Sequence, residues 1–454
     1  MAWRGKQLPS RAGGNLRHLF VIALLVLGPA VFAQGPGYSG PSIMTQPGTP
    51  LGRGARQPLN LRFFVSAQAH YADDFASVDA SGTRLDYDDT MGWHGNAGIY
   101  GYYPRQKDVI GIDYRLHYRA LNRNSNYDGA DHSFGLSYSR QMTAKTAFSF
   151  SQGLSSGRRS FMGIPNSIGL NSTLEFFNPG DEVFSRRSTA AVSSGDVTHM
   201  MSRDWGVSGG GNLVLIERQE AGLADMWGFS GSAQVFRMLG PKHRIGGFYG
   251  YSEFRFDGDF GQTRFHSGGL TLQSQLTPTW TFSARAGAAR YHSERLSTVR
   301  LDPIIAGLLG TGTVQEAVDA TGNVAILGAT LGRTFERSSL SFYINRRIRP
   351  GNGFITTSVS NYGGIAYSYT ATQRLNFGLH GMYGDHKAIT QGGGRFTSYG
   401  GGLGVTYRLY SSLHFTARAD VREHATSSDA LFRTRYMFSA GIAWSPGELP
   451  LALW

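Results

Sequence analysis

The chain alternates between apolar and polar residues. Between Val109 and Arg119, Ile110, Ile112, Tyr114, Leu116 and Tyr118 occupy one set of alternate positions. Gly111, Asp113, Arg115, His117 and Arg119 occupy the other. Successive side chains of a strand point to opposite faces, so this segment reads as a strand with one greasy and one ionic face. Segments of this kind, each about ten to fourteen residues long, recur from Leu59 to Trp444. In a soluble sandwich the apolar face would look into a core. In a closed barrel within a bilayer it would look at lipid, and the ionic face would line a wet lumen. The alternation is compatible with both.

The connections alternate too. Tight, polar, turn-forming stretches fall at 104–107, 143–145, 202–204, 240–243, 277–279, 336–338, 371–373 and 410–411. Longer ones fall at 73–90, 121–130, 157–182, 218–222, 254–263, 293–321, 347–354, 384–394 and 423–431. Eight tight hairpins with a first and a last strand predict about eighteen strands, all antiparallel, with both termini at the end of the tight turns. The count falls to sixteen if 183–200 or 355–370 is not a strand.

The ends of the chain decide between sandwich and barrel. Arg4, Lys6, Arg11 and Arg17 precede an apolar run at 19–27, which is too short to span a bilayer and is broken by Gly28-Pro29. Val31-Phe32-Ala33 then suits a signal peptidase, with cleavage between Ala33 and Gln34, so 1–33 reads as a secretory signal. Residues 34–58 are rich in proline and glycine and read as a flexible lead-in, too short for a plug domain. Residues 59–454 contain no run near the roughly eighteen apolar residues of a membrane helix. The last strand carries Phe432, Tyr436, Phe438, Ala440, Ile442 and Trp444 on one face, and Trp454 ends the chain. A terminal aromatic after an amphipathic strand resembles the assembly signal of Gram-negative outer-membrane barrels. Here Ser445-Pro446-Gly447-Glu448-Leu449-Pro450 intervenes, and proline cannot donate to a ladder. At the level of architecture, 59–454 resembles the porin-like outer-membrane β-barrels. The resemblance implies an all-β, antiparallel, up-and-down transmembrane barrel in the outer membrane, with tight turns on the periplasmic side. It also implies outer-membrane lipid, lipopolysaccharide and the barrel assembly machinery as partners, and it is compatible with a homotrimer.

Composition fits this reading. There are 62 glycines in 454 residues, about twice the usual share, and aromatics make up 13%. Small residues suit curved, closely spaced strands, and aromatics suit interface girdles. Trp205, Trp280 and Tyr407 lie near tight turns, Tyr71, Trp93 and Trp227 near long connections, and Trp444 closes the last strand. A mean hydropathy of −0.24 excludes a helical membrane bundle. The absence of cysteine excludes disulfide scaffolds, thiol catalysis and cysteine zinc sites. The formal charge is +12, about +8 without the signal. We assign it to a lumen and to acidic lipopolysaccharide rather than to nucleic acid.

The polar faces carry the candidate chemistry. Arg115, Arg119, Arg285, Arg347, Arg349, Arg374, Arg408, Arg418, Arg422, Arg433 and Arg435 are expected to line the pore, with Asp113 and Asp420 as the clearest acids. Fixed charge of one sign sets ion preference, so the reading is passive diffusion of small hydrophilic or anionic solutes. The alternative use of the same arginines is a solvated wall neutralised by acids. In the 157–182 connection, Arg158, Arg159 and Phe161 form a candidate constriction. In the 293–321 connection, 314–318 suggests a short helix or a cap over the mouth. Asp73, Asp74, Asp79, Asp86, Asp88 and Asp89 read as a solvated loop, and no metal or other cofactor is implied. A second function class is a surface adhesion protein that uses the barrel as an anchor. A third is a lipase or protease, but no H-E-x-x-H or Walker loop is present. His380, Asp385 and His386, grouped near one strand end, are its nearest approach to a catalytic cluster.

Overall fold

The computed structural model describes residues 62–444 except 74–88, 105–106, 123–127, 159–186, 219–223, 258–260, 301–312, 351–356, 373, 390–393, 411 and 427–431. The signal segment with Ala33 and Gln34, the lead-in, Arg159 and Phe161 lie outside the described residues.

Eighteen strands follow one another: β1 (Arg62–Ala72), β2 (Thr90–Pro104), β3 (Asp108–Leu121), β4 (Gly129–Gln141), β5 (Thr146–Arg158), β6 (Arg187–Met200), β7 (Trp205–Arg218), β8 (Met226–Met238) and β9 (His243–Phe256) form the first half. The second half is β10 (Gly261–Gln275), β11 (Trp280–Arg300), β12 (Thr313–Thr334), β13 (Ser338–Pro350), β14 (Thr357–Thr370), β15 (Leu375–Ala388), β16 (Arg395–Arg408), β17 (Leu413–Thr426) and β18 (Phe432–Trp444). Each pairs antiparallel with its sequence neighbours, and β1 pairs with β18 from Val65↔Trp444 to Ala72↔Met437, which closes the barrel. β6 and β14 are strands, so the count is eighteen rather than sixteen. The β1–β18 pairing joins the two ends of the sheet, as a sheet in hydrocarbon requires.

Register fixes the two faces. Phe63, Val65, Met91, Trp93, Ile112, Tyr118, Leu270, Leu403, Phe438 and Trp444 look outward and are exposed. Ser66, Gln68, His94, Arg115, Arg119, Thr416 and Arg435 look inward and are buried. Polar groups on the outer wall are paired with one another: Tyr114 with His132 at 3.0 Å, Tyr249 with His266 at 2.7 Å, and Ser193 with Gln152. An unsatisfied polar group facing hydrocarbon would cost several kcal/mol, roughly.

The strands outlast the sequence pattern at the end carrying the long connections. Residues 293–300 and 313–321, expected to belong to a long connection, are strand, and 301–312 lie outside the described residues. β11 and β12 stay paired up to Arg300↔Thr313, and 314–318 is strand. Here the outer face carries Arg264, His292, Glu294 and Asp319, with Arg264 opposite His292 and Glu294 opposite Asp319. Above the bilayer the outer face meets water. Charge there breaks the apolar alternation without ending the hydrogen-bond ladder.

Candidate functional site

The inner wall has two characters. Around β1–β4 and β15–β18 it is ionic. Arg115 makes a two-pronged contact with Asp113, Nε to Oδ1 at 2.9 Å and Nη2 to Oδ2 at 2.8 Å. Arg119 Nη2 lies 2.6 Å from Asp131 Oδ2. Arg418 Nη2 donates to Asp420 Oδ1 at 2.5 Å, and His380 Nε2 lies 3.4 Å from the same oxygen. Gly402, opposite both Asp420 and His380 in register, leaves room for this group, since a Cβ there would collide with both side chains. His70, His94 and His117 form a ladder across β1–β3, with ring centroids 5.6 and 5.2 Å apart. His94 is held by Gln68 at 2.8 Å, and His117 by Asn96 at 2.5 Å.

Around β6–β12 the inner wall is apolar near the long-connection end. Val192, Val214, Ile216, Met226, Phe254, Phe256, Phe265, Val324 and Ile326 form one buried cluster. The sequence signal for it is the loss of alternation in Leu213-Val214-Leu215-Ile216 and Val324-Ala325-Ile326-Leu327. A continuous apolar run marks a strand buried on both faces.

The element that covers this patch is the end of the β13–β14 hairpin. β12 and β13 pair only from Leu327↔Arg346 to Thr334↔Ser339, although both strands continue beyond Leu327 and Arg346. β13 and β14 remain paired with each other up to Pro350↔Thr357. Ile348 and Val359 are partners in that ladder, on its outward-facing side, yet both pack into the inner-wall cluster. Thr357, on the same side, meets lumen-facing Thr263 of β10, with the two hydroxyls 2.9 Å apart. The described end of the hairpin therefore leaves the wall and folds inward over this patch.

Register places Arg115, Arg119, Arg285, Arg347, Arg349, Arg408, Arg418, Arg422 and Arg435 on the inward side of their strands. Arg285 lies over the Phe248 ring at 4.8 Å, and Arg349 over Tyr362 at 4.1 Å. Arg374 sits in the turn between β14 and β15, outside any strand, because β15 starts at Leu375. Arg158 is the last residue of β5. The described tryptophans sit at the two ends of the outer wall, and three of them carry arginine: Trp205 with Arg237 at 5.7 Å, Trp227 with Arg255 at 5.0 Å and Trp280 with Arg333 at 4.8 Å.

His380, Asp385 and His386 do not form one cluster. His380 and His386 face inward, whereas Asp385 alternates outward and binds Arg395 at 2.6 Å and Asn361 at 3.1 Å. Adjacent strand positions cannot share a face. His386 instead meets Ser360 at 2.8 Å. Among the described residues, no group of His, Asp and Glu could hold a metal ion.

A closed antiparallel barrel with an apolar outer wall, aromatics at both ends and a largely polar inner wall has the architecture of a Gram-negative outer-membrane barrel. No protein-family model matches the chain, and no curated protein matches it. Among solved structures it is similar to OccK8 (OprE) of Pseudomonas aeruginosa, at 11% identity over 87% of this chain and 100% of that one, with a TM-score of 0.38. It is also similar to the outer membrane protein opdK of the same organism, at 12% identity over 85% and 99%, with a TM-score of 0.40. A third is the ferric-catecholate import receptor Fiu of E. coli K12, at 10% identity over 90% and 85%, with a TM-score of 0.39.

Proposed function

We propose that this protein is a porin-like channel that passes small hydrophilic solutes across the outer membrane, with a modest preference for anions. The observation that carries the reading is the closed barrel of eighteen strands with ionic residues on its inner wall. Barrels of about this strand number enclose an aqueous channel. The anion preference is kept modest because Arg115, Arg119 and Arg418 each face a carboxylate, so part of the positive field is cancelled locally. The remaining bias rests in this reading on the excess of basic over acidic residues, 43 against 31 in the whole sequence.

The test is a planar-bilayer recording of the purified protein. Discrete conductance steps are expected, with a mild anion preference that weakens as salt rises, since the Debye length is about 8–10 Å near physiological ionic strength. Strong cation selectivity would overturn the preference. A second reading, a barrel that serves as a surface anchor, is favoured by the hairpin end folding inward against the lumen wall. Complete absence of conductance would select it.

A further inference from the structure

The split between β12 and β13 has a consequence on the outside of the barrel. Above the Leu327↔Arg346 rung β12 has no partner on this side, because β13 turns inward. At and below that last rung the outer wall holds a concavity of about 580 Å³ over β12–β15, lined in part by Leu327, Phe342, Ile344, Ile365, Gly381 and Tyr383. All six alternate outward, with the lipid-facing residues. The volume lies within the range of small-molecule pockets, roughly 300–1,000 Å³. Gly381 forms part of the floor, and a Cβ there would touch Ile365 Cγ2 at an ordinary 3.4 Å, so the glycine leaves space that a side chain could fill.

Directly above is a polar rung. Ile344, Gly363, Tyr383 and Tyr399 share one row across β13–β16, and Arg346, Asn361, Asp385 and Thr397 share the next. Arg346 Nη1 donates to Asn361 Oδ1 at 2.8 Å, and Asn361 Nδ2 donates to Asp385 at 3.1 Å. Arg395 pairs with Asp385, and Lys387 stands beside them in the ladder. That row carries Arg346 and Asp385, the next row adds Lys387 opposite Arg395, and the row beneath ends in Glu423 opposite Tyr399, so three cations stand against two carboxylates. Apolar wall, then aromatic row, then cationic row is the order met on passing from acyl chains to headgroups.

We infer that this outer-wall concavity over β12–β15 is a binding site for one phosphate-bearing lipid of the outer leaflet, an acyl chain filling the cleft and its phosphate meeting Arg346. The sign of the rim selects an anionic headgroup, and the apolar lining selects a chain. The site faces the bilayer, so it does not depend on the lumen conducting.

The test is native mass spectrometry of the full-length barrel in detergent, titrated with lipid A and, separately, with phosphatidylcholine and oleate. One saturable lipid A is expected. Gly381→Leu should fill the cleft and Arg346→Gln should remove the rim charge, each weakening that binding at least tenfold. Heat-modifiable mobility checks that both variants are folded, and bilayer conductance of each reports separately on the channel reading. Unchanged lipid A binding in both folded variants would overturn the inference, as would equal binding of phosphatidylcholine. Tighter binding of oleate than of lipid A would replace the lipid site with one for free amphiphiles. Dissociation of an oligomer by Gly381→Leu with lipid binding intact would make the cleft a contact between copies.

Discussion

At the residue scale, one position along a strand decides between lipid and lumen. Ile112 is exposed on the outer wall, and its neighbour Asp113 faces inward against Arg115. An arginine on the lipid face costs roughly 2–4 kcal/mol near the midplane. Ile112→Arg is therefore expected to reduce the heat-modifiable, folded fraction on gels, while Asp113→Asn leaves it unchanged. Equal tolerance would reverse the facing. The acids also govern selectivity. Removing Asp113 or Asp420 leaves Arg115 or Arg418 without its carboxylate, so Asp113→Asn with Asp420→Asn is expected to raise the anion preference in bilayer reversal potentials. Arg422→Gln is expected to lower it. A shift in the same direction for both would show that these groups do not set the field.

At the element scale, the β13–β14 hairpin is the irregular part of an otherwise continuous ladder. Ile348 is buried in the inner-wall cluster, and truncating such a side chain typically costs about 2–5 kcal/mol. Most of that loss falls on the seating of the hairpin end, because the wall strands keep their own ladders. Ile348→Ala is expected to increase single-channel conductance or its fluctuations. The chain has no cysteine, so Thr263→Cys with Thr357→Cys introduces one thiol pair at the observed contact. Oxidation of that pair should hold conductance low, and reduction should restore it. Identical traces in both states would show that the hairpin end does not obstruct the path.

At the scale of the whole molecule, sidedness follows from connection length. The connection from Arg158 to Arg187 is far longer than the one from Met238 to His243, which holds Gly240 at φ +82°. Connections that stay tight at one end and include the long ones at the other place the tight end in the periplasm. An epitope inserted in the 301–312 connection is expected to bind antibody on intact cells, whereas one at Lys107 binds only after permeabilisation. The reverse labelling would invert the molecule in the membrane.

The sequence by itself determined the strand number, the order of the elements and which side of β3 faces lipid, because a period of two is written in most wall strands and turn residues punctuate them. The inward direction of arginines such as Arg115 and Arg418 was legible for the same reason. Three features were decided only by tertiary structure. Asp113, Asp131 and Asp420 neutralise arginines through contacts along or across strands, and alternation records the face of a residue but not its partner. The outward reach of β11 and β12 was hidden, since charge on a water-facing strand looks like loop. The inward turn of the β13–β14 end was hidden most completely. Ile348 and Val359 sit at positions that alternation assigns to the outer wall, and they become inner-wall packing only because the ladder to β12 stops at Arg346. Where a ladder ends is set by competition between a rung of backbone hydrogen bonds and the burial of a distant apolar patch, a balance between residues that are remote in the chain.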